Sequence, residues 1–198
     1  MSDSLAPETV QPRLRGRFGR EYVYEERCGS TQRLLGPELP EGAVAVTEEQ
    51  TEGRGRLGRR WHAAPFTSVL CSVNLRPAVD SARLPELSLV AGAACAEAIE
   101  AVMGLEPELK FPNDVLIGGR KVAGILAEAR EGRVVLGIGV NVNVTPEQLP
   151  SELETPATSL LVEMGTEVDR VELLVTVLER LEDHYERWVG RTQPMSSD

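Results

Sequence analysis

Arg133-Val134-Val135-Leu136-Gly137-Ile138-Gly139-Val140-Asn141-Val142-Asn143-Val144 is the strongest strand signal in this chain. Val134, Leu136, Ile138, Val140, Val142 and Val144 alternate onto one face, which must be core. The opposite face carries Val135, Gly137, Gly139, Asn141 and Asn143. A solvent-facing strand would normally show Thr, Lys or Glu there. Two glycines and two asparagines leave instead a shallow trough with amide donors and acceptors. A ligand lying against the sheet would use such a trough; so would a helix packed closely on the glycines.

The flanking segments read as further parts of one sheet with helices. Val115-Leu116-Ile117, a Gly118-Gly119 turn and Lys121-Val122-Ala123-Gly124-Ile125-Leu126 form a hairpin pattern. Pro112 stops any strand before it, and Asn113-Asp114 favours a tight turn. Residues 84–103 predict a helix, with Leu84, Leu87, Ala91, Ala94, Ala98 and Val102 at spacings of three and four and Pro85 in the first turn. Residues 68–75 alternate as a half-buried strand, with Val69, Cys71, Val73 and Leu75 inward. Further upstream, strands are expected at 43–50 and 21–24. The second leads to Gly29-Ser30-Thr31-Gln32, where Ser30 or Thr31 can cap a short helix. Capping is compatible with a ligand role, since a helix N-terminus also attracts anions. Downstream come an acidic, proline-containing loop over 147–156 and a helical turn over 158–163. Asp169-x-x-Glu172 then reads as a capping box opening a helix whose apolar face is Val171, Leu174, Val175, Leu178, Leu181, Tyr185 and Trp188. Residues 1–16, polar and without period, read as a mobile tail and 191–198 as a frayed one, leaving a single domain over 17–190.

Composition narrows the function. The 198 residues suit one domain, and a formal net charge of −10 argues against a general nucleic-acid binder. Cys28, Cys71 and Cys95 stand far apart, giving neither metal-ligand spacing nor a disulfide framework. They read as buried thiols of a cytoplasmic protein. No apolar run is long enough for a membrane span or a secretory signal.

Against this acidic background stands Gly53-Arg54-Gly55-Arg56-Leu57-Gly58-Arg59-Arg60-Trp61, with three glycines and four arginines. Glycine lets the backbone approach a ligand closely, and arginine offers a fork of donors to carboxylate and phosphate oxygens. The stretch is built to close over a small anion; the plain alternative is a solvated basic turn. Its Gly-x-Gly-x-x-Gly spacing does not make it a dinucleotide fingerprint. That motif opens directly into a helix, whereas Pro65 and the lack of a helical period indicate a loop here. Lys110 and Lys121 are the only lysines in the chain. Both border the Pro112-Asn113-Asp114 turn and the glycine hairpin, so a compact point charge is expected at these positions. His62 could touch a ligand, whereas His184, among charges on a helix, is expected to be solvated. No Ser-His-Asp or Cys-His arrangement can be argued, which disfavours acyl-enzyme chemistry.

Four motifs in order carry a resemblance: the 53–61 stretch, Lys110-Phe111-Pro112-Asn113-Asp114, Lys121-Val122-Ala123-Gly124-Ile125-Leu126, and Gly137-Ile138-Gly139-Val140-Asn141-Val142-Asn143. Together they resemble the catalytic domain of biotin protein ligases over about residues 20–190, with Ser30-Thr31-Gln32 similar to that family's Ser-Thr-Asn segment and Phe111 standing where tryptophan is usual. The resemblance implies an α+β fold shared with class II aminoacyl-tRNA synthetases, a mixed β-sheet backed by helices. It implies formation of biotinyl-5′-AMP from biotin and ATP with magnesium, then transfer to one lysine of a biotin carboxyl carrier protein. By the resemblance, Ser30, Thr31, Gln32, Gln50, Arg54, Gly55, Arg56, Lys121 and Gly124 would bind biotin. Arg54, Arg56, Trp61, Lys110, Asn113 and Asn141 would bind ATP. Lys121, Arg54, Arg56 and Asp114 would carry the chemistry, Asp114 orienting the incoming lysine or a magnesium ion; no metal-ligand set is assigned. About 20 residues precede the first strand, too few for the family's helix-turn-helix, and the chain stops near Trp188, before its SH3-like domain. No nucleic-acid or membrane partner is therefore expected, while a homodimer through sheet edges remains open. The alternatives are a lipoate or octanoate transferase of the same fold, a non-catalytic biotin-binding protein, or a plain nucleotide-binding module.

Overall fold

The computed structural model describes residues 3–130, 132–150 and 154–190. Its centre is a seven-stranded mixed sheet in the order β1-β2-β3-β7-β6-β5-β4. The strands are β1 (Tyr22–Cys28), β2 (Val44–Gln50), β3 (Ser68–Leu75), β4 (Glu108–Lys110), β5 (Asp114–Ile117), β6 (Arg120–Arg130) and β7 (Arg133–Asn141). Only β1 and β2 run parallel; every other pair is antiparallel. The β5–β6 hairpin turns on Gly118 and Gly119, at φ 55° and 75°. Positive φ at both central residues is what a tight, twist-matched turn needs.

The valine face of β7 and the Val69-Cys71-Val73-Leu75 face of β3 look onto one continuous core. It is closed by two helices, α3 (Leu87–Met103) and α5 (Arg170–Gly190), after the short α1 (Pro7–Val10) and α2 (Thr31–Leu34) and before α5 the single turn α4 (Leu160–Met164). From α3 come Leu87, Ala91, Ala94, Cys95, Ala98 and Ile99, mostly small side chains that let the helix lie close to the sheet. From α5 come Leu174, Leu178, Leu181, Tyr185 and Trp188. Each large apolar side chain fully buried this way contributes roughly 1.5–3 kcal/mol. Cys28, Cys71 and Cys95 are free and buried. Burial pushes the Cys95 thiol up to about 12.

Four expectations need correction. Residues 3–16 are not a loose tail. Leu5 and Val10 are fully buried, Val10 as the last residue of α1, and the Tyr22 hydroxyl donates to Leu5 O at 2.7 Å. Single apolar anchors without a period gave no signal in the sequence. Residues 191–198 lie outside the described residues. The helix expected from residue 84 begins as a 3-10 turn, Ser81–Glu86, because Pro85 has no N–H to enter an α ladder. Strand β3 is buried on both faces rather than one. Its Ser72 and Asn74 are covered from the far side, where Leu35, Ala43, Ala45 and Val135 form a second small cluster. Finally, His184 is half-buried, its Nε2 2.8 Å from Glu97 Oε1 of α3.

Candidate active site

The face of the sheet opposite α3 and α5 carries the site. In register across it run Gly124 and Leu126 of β6, Gly137 and Gly139 of β7, and Leu70 and Ser72 of β3. With no Cβ on three of these, the floor is recessed. A cleft of about 910 Å³ opens above it. Part of the recess is used by the chain itself. A Cβ on Gly139 would meet the Trp61 ring at 2.6 Å, on Gly124 the same ring at 2.8 Å, and on Gly137 the Gln32 amide at 2.9 Å. The glycines thus make room for two side chains that also face the cleft: Gly137 takes Gln32 of the short α2, while Gly124 and Gly139 take the Trp61 ring of the basic stretch.

The basic stretch forms one wall. Arg54 and Arg60 pair as an isolated antiparallel bridge, Gly55 N donates to Arg59 O, and Trp61 N donates to Gly53 O. The loop is therefore a small hairpin with Leu57 and Gly58 at its tip, both at positive φ (57° and 74°). Arg54, Arg56, Arg59 and Arg60 line the cleft with Lys121, against Asp114 and Glu154. The local balance is cationic in a protein whose net charge is −10.

Lys121 is held from every side. Its backbone pairs with Leu116 of β5 on one edge. On the other, Lys121 N donates to Pro156 O at 2.7 Å and Thr158 N donates to Lys121 O at 2.8 Å. Asn141 steadies that second edge, its Nδ2 donating to Thr158 O at 3.0 Å. The ammonium lies 2.7 Å from Asp114 Oδ1 and 5.6 Å from the centroid of the Trp61 ring. Asn113 locks the turn before Asp114 by donating from Nδ2 to Ile125 O, while its Oδ1 accepts from Arg56 at 3.4 Å.

The polar end is built from α2 and β2. Ser30 occupies the N-cap position of α2 without a side-chain capping bond. Thr31 N donates to Gln50 Oε1 at 2.9 Å, and the Thr31 hydroxyl shares a 2.7 Å hydrogen bond with Ser72. Gln32 Nε2 donates to Leu126 O at 2.9 Å. Gln32 Oε1 and Trp61 Nε1 are buried without a hydrogen-bond partner in the protein. Buried polar atoms left open in this way fit a polar ligand.

Ser30, Thr31, Gln32, Gln50, Arg54, Gly55, Arg56, Trp61, Asn113, Asp114, Lys121, Gly124 and Asn141 all line this cleft, as does His62. Lys110 does not: its ammonium donates to Thr155 Oγ1 at 2.6 Å, on a strand exposed throughout. Sequence reasoning missed three residues that support the walls of the cleft without lining it: Ser72, which bonds Thr31, and Glu128 and Arg130. Glu128 and Arg130 continue the Gly124-Leu126 alternation on β6, a signal that was readable. Ser72 was hidden by the assumption that β3 has one wet face. Among the described residues no group of three His, Cys, Asp or Glu could hold a metal ion. No described helix is long and apolar enough to cross a membrane.

Comparison with known proteins agrees with this architecture. Residues 24–144 match the model of the biotin/lipoate A/B protein ligase family. The chain is 38% identical over 177 residues to the bifunctional ligase/repressor BirA of Bacillus subtilis, covering 85% of this chain and 54% of that one. It is 38% identical over 163 residues to the biotin--[acetyl-CoA-carboxylase] ligase of Mycobacterium tuberculosis, covering 80% of this chain and 59% of that one. The chain thus spans about half the length of the curated relatives it matches. The biotin protein ligase of Aquifex aeolicus, solved with biotin and ATP, superposes with a TM-score of 0.79 at 34% identity, over 87% of this chain and 73% of that one. A shared mixed sheet, a glycine-floored cleft and a matched family model covering most of the domain lead to one conclusion: the chain belongs to the biotin/lipoate A/B protein ligase family.

Proposed function

We propose that this protein joins biotin and ATP into biotinyl-5′-AMP and passes the biotinyl group to a lysine of a biotin carboxyl carrier protein. The observation that carries the reading is the arginine hairpin closing over a glycine-floored cleft with Lys121 at its centre. The first step brings a carboxylate against a phosphate. Two such charges about 4 Å apart repel by roughly 4 kcal/mol at an effective dielectric of about 20. Fixed cations must offset that repulsion. Lys121 is the group to bridge the biotin carboxylate and the α-phosphate, exchanging its contact with Asp114 for theirs. Arg54 and Arg56 answer the remaining oxygens. No covalent enzyme intermediate is required: the carboxylate oxygen forms a bond to phosphorus as the bond to pyrophosphate breaks.

Biotin's cyclic urea offers one carbonyl acceptor and two N–H donors. Ser30, Thr31, Gln32 and Gln50 supply hydroxyls and amides in one corner to meet them, and Gly55 and Gly124 allow close approach. Adenine would stack on Trp61, with Asn113 and Asn141 beside the nucleotide. Lys110 would act only from the rim. Magnesium would enter with ATP and be held mainly by its phosphates, as hard cations with few protein ligands are. Asp114, released from Lys121, is suited to orient the acceptor lysine. Membership of a family that also includes lipoate ligases makes the acyl group the point to test.

The test is biotin-dependent exchange of labelled pyrophosphate into ATP, with purified protein and no carrier. Exchange with biotin and none with lipoic acid is expected. Exchange driven by lipoic acid, or biotin binding with no exchange at all, would overturn the reading.

A further inference from the structure

The arginine hairpin is tied to the sheet at a point outside the cleft. Glu128 lies on the same face of β6 as Gly124 and Leu126, opposite Val135 of β7. It borders a second hollow, of about 700 Å³, lined by the hairpin together with Arg33, Glu52 and Leu126. Two arginines converge on its carboxylate. Arg54 of the hairpin lies 3.3 Å from Oε1, and Arg130 lies 2.5 Å from Oε2. Arg130 also donates to the backbone oxygen of Gln32 at 3.0 Å. One carboxylate therefore joins the hairpin to α2, the two elements that wall the cleft. The hold extends to Trp61. Its N–H donates to Gly53 O, and the two arms run so close that a Cβ on Gly53 would sit 2.4 Å from Trp61 O. Whatever pins Arg54 also pins the indole.

We infer that Glu128 is the latch of this hairpin, a positioning residue that fixes Arg54, and through the paired arms Trp61, over the cleft. The tie is made to be opened. Arg54 is half exposed, so the pair is screened by solvent and salt, and the hairpin can lift to admit ligands and fall back over them. Taken with the proposed ligase reaction, on which this second part rests, Glu128 sets how long the mixed anhydride is shielded from water.

Trypsin cuts after arginine, so cleavage within 54–60 reports hairpin opening in the full chain without ligands. The Glu128→Gln variant keeps the shape and removes the charge. At low salt it is expected to be cut about two- to fivefold faster than the parent, the range for losing a partly exposed ion pair. At about 1 M salt, where screening reaches about 3 Å, that difference should vanish. Arg130→Gln, which spares the Arg54 pair, should be cut no faster than the parent, and thermal melting checks that all three proteins are folded. Supplied with biotin and ATP, Glu128→Gln should lose its adenylate to hydrolysis faster by a similar factor. Equal cleavage of Glu128→Gln and parent at low salt would overturn the latch, whatever reaction the protein catalyses. A loosened hairpin in a protein that makes no adenylate would uphold the latch and overturn the ligase reading instead.

Discussion

Lys121 is one of two lysines in a chain otherwise cationic through arginine, and its neighbours explain the choice. A guanidinium is a broad planar fork; an ammonium is a compact charge that fits between Asp114 and the Trp61 ring and can turn to a new partner. Lys121→Gln keeps a donor for Asp114 while losing the charge. Pyrophosphate exchange is expected to fall by about 10²–10³, the usual size of losing one electrostatic stabiliser of a developing charge. Melting should change little; a variant exchanging at the parental rate would remove Lys121 from the chemistry. Gly139 illustrates the opposite requirement, for the absence of a side chain. Its backbone is ordinary strand, yet a methyl group there would stand 2.6 Å from the Trp61 ring. Gly139→Ala is therefore expected to push the indole outward, seen as red-shifted tryptophan emission and easier acrylamide quenching. Trp188, buried in α5, should contribute a constant background. Unchanged quenching would mean that the indole does not rest on the glycine floor.

Secondary-structure elements meet through polar knots as well as through the apolar core. Helix α5 is capped by Asp169, whose Oδ1 accepts from Val171 N and Glu172 N at 2.9 and 3.0 Å. The next residue, Arg170, is 1% exposed and donates to Glu48 of β2 at 2.6 Å, to Ser68 O and to Asp3. Glu48 is wholly buried, and its other oxygen accepts from Leu5 N. One guanidinium thus ties the N-terminal segment, the sheet and α5 together. It does so two residues before Gln50, which supports Thr31 in the cleft. Arg170→Met would leave the Glu48 carboxylate buried without a counter-charge and should cost about 3–5 kcal/mol in urea unfolding. Adding Glu48→Gln should recover part of that loss, because it removes the stranded charge. A double variant no more stable than the single would assign the loss to packing alone.

The described residues form an acidic sheet backed by two long helices, and the response to acid follows from where the carboxylates are paired. Glu86, in the 3-10 turn before α3, accepts from Arg83 and from the Trp188 indole N–H at 2.7 Å, joining that turn to the end of α5. The Arg83 hydrogen bond, then that of Trp188, hold its carboxyl below the ordinary value of 4.5. A carboxyl lowered on folding stabilises the protein above its unfolded value, and that contribution is lost as pH falls through the folded one. The parent should therefore melt above Glu86→Gln at pH 7, with the gap closing as pH drops below about 4.5. A gap that is constant with pH would assign the effect to shape rather than charge. The strands of the sheet other than β4, and the face of α5, were readable in the residues, because burying one face imposes a period of two or 3.6 that composition cannot hide; the three-residue β4 is exposed throughout and carries no such period. The cleft was readable for a related reason. Glycine at 124, 137 and 139 and arginine at 54 and 56 are conspicuous choices in a strand and in an acidic chain, and they announce the close approach and the cationic wall that the structure has there. The packed N-terminal segment, the Arg170–Glu48 knot and the two buried faces of β3 left no such mark. They depend on partners more than 100 residues apart for Arg170 and Glu48, and on isolated side chains with no repeat. That Trp61 lies on Gly124 and Gly139 and Gln32 of α2 on Gly137, and that Glu128 holds Arg54, was likewise decided only when the chain closed on itself, since contacts between distant residues follow from tertiary packing and not from any local pattern.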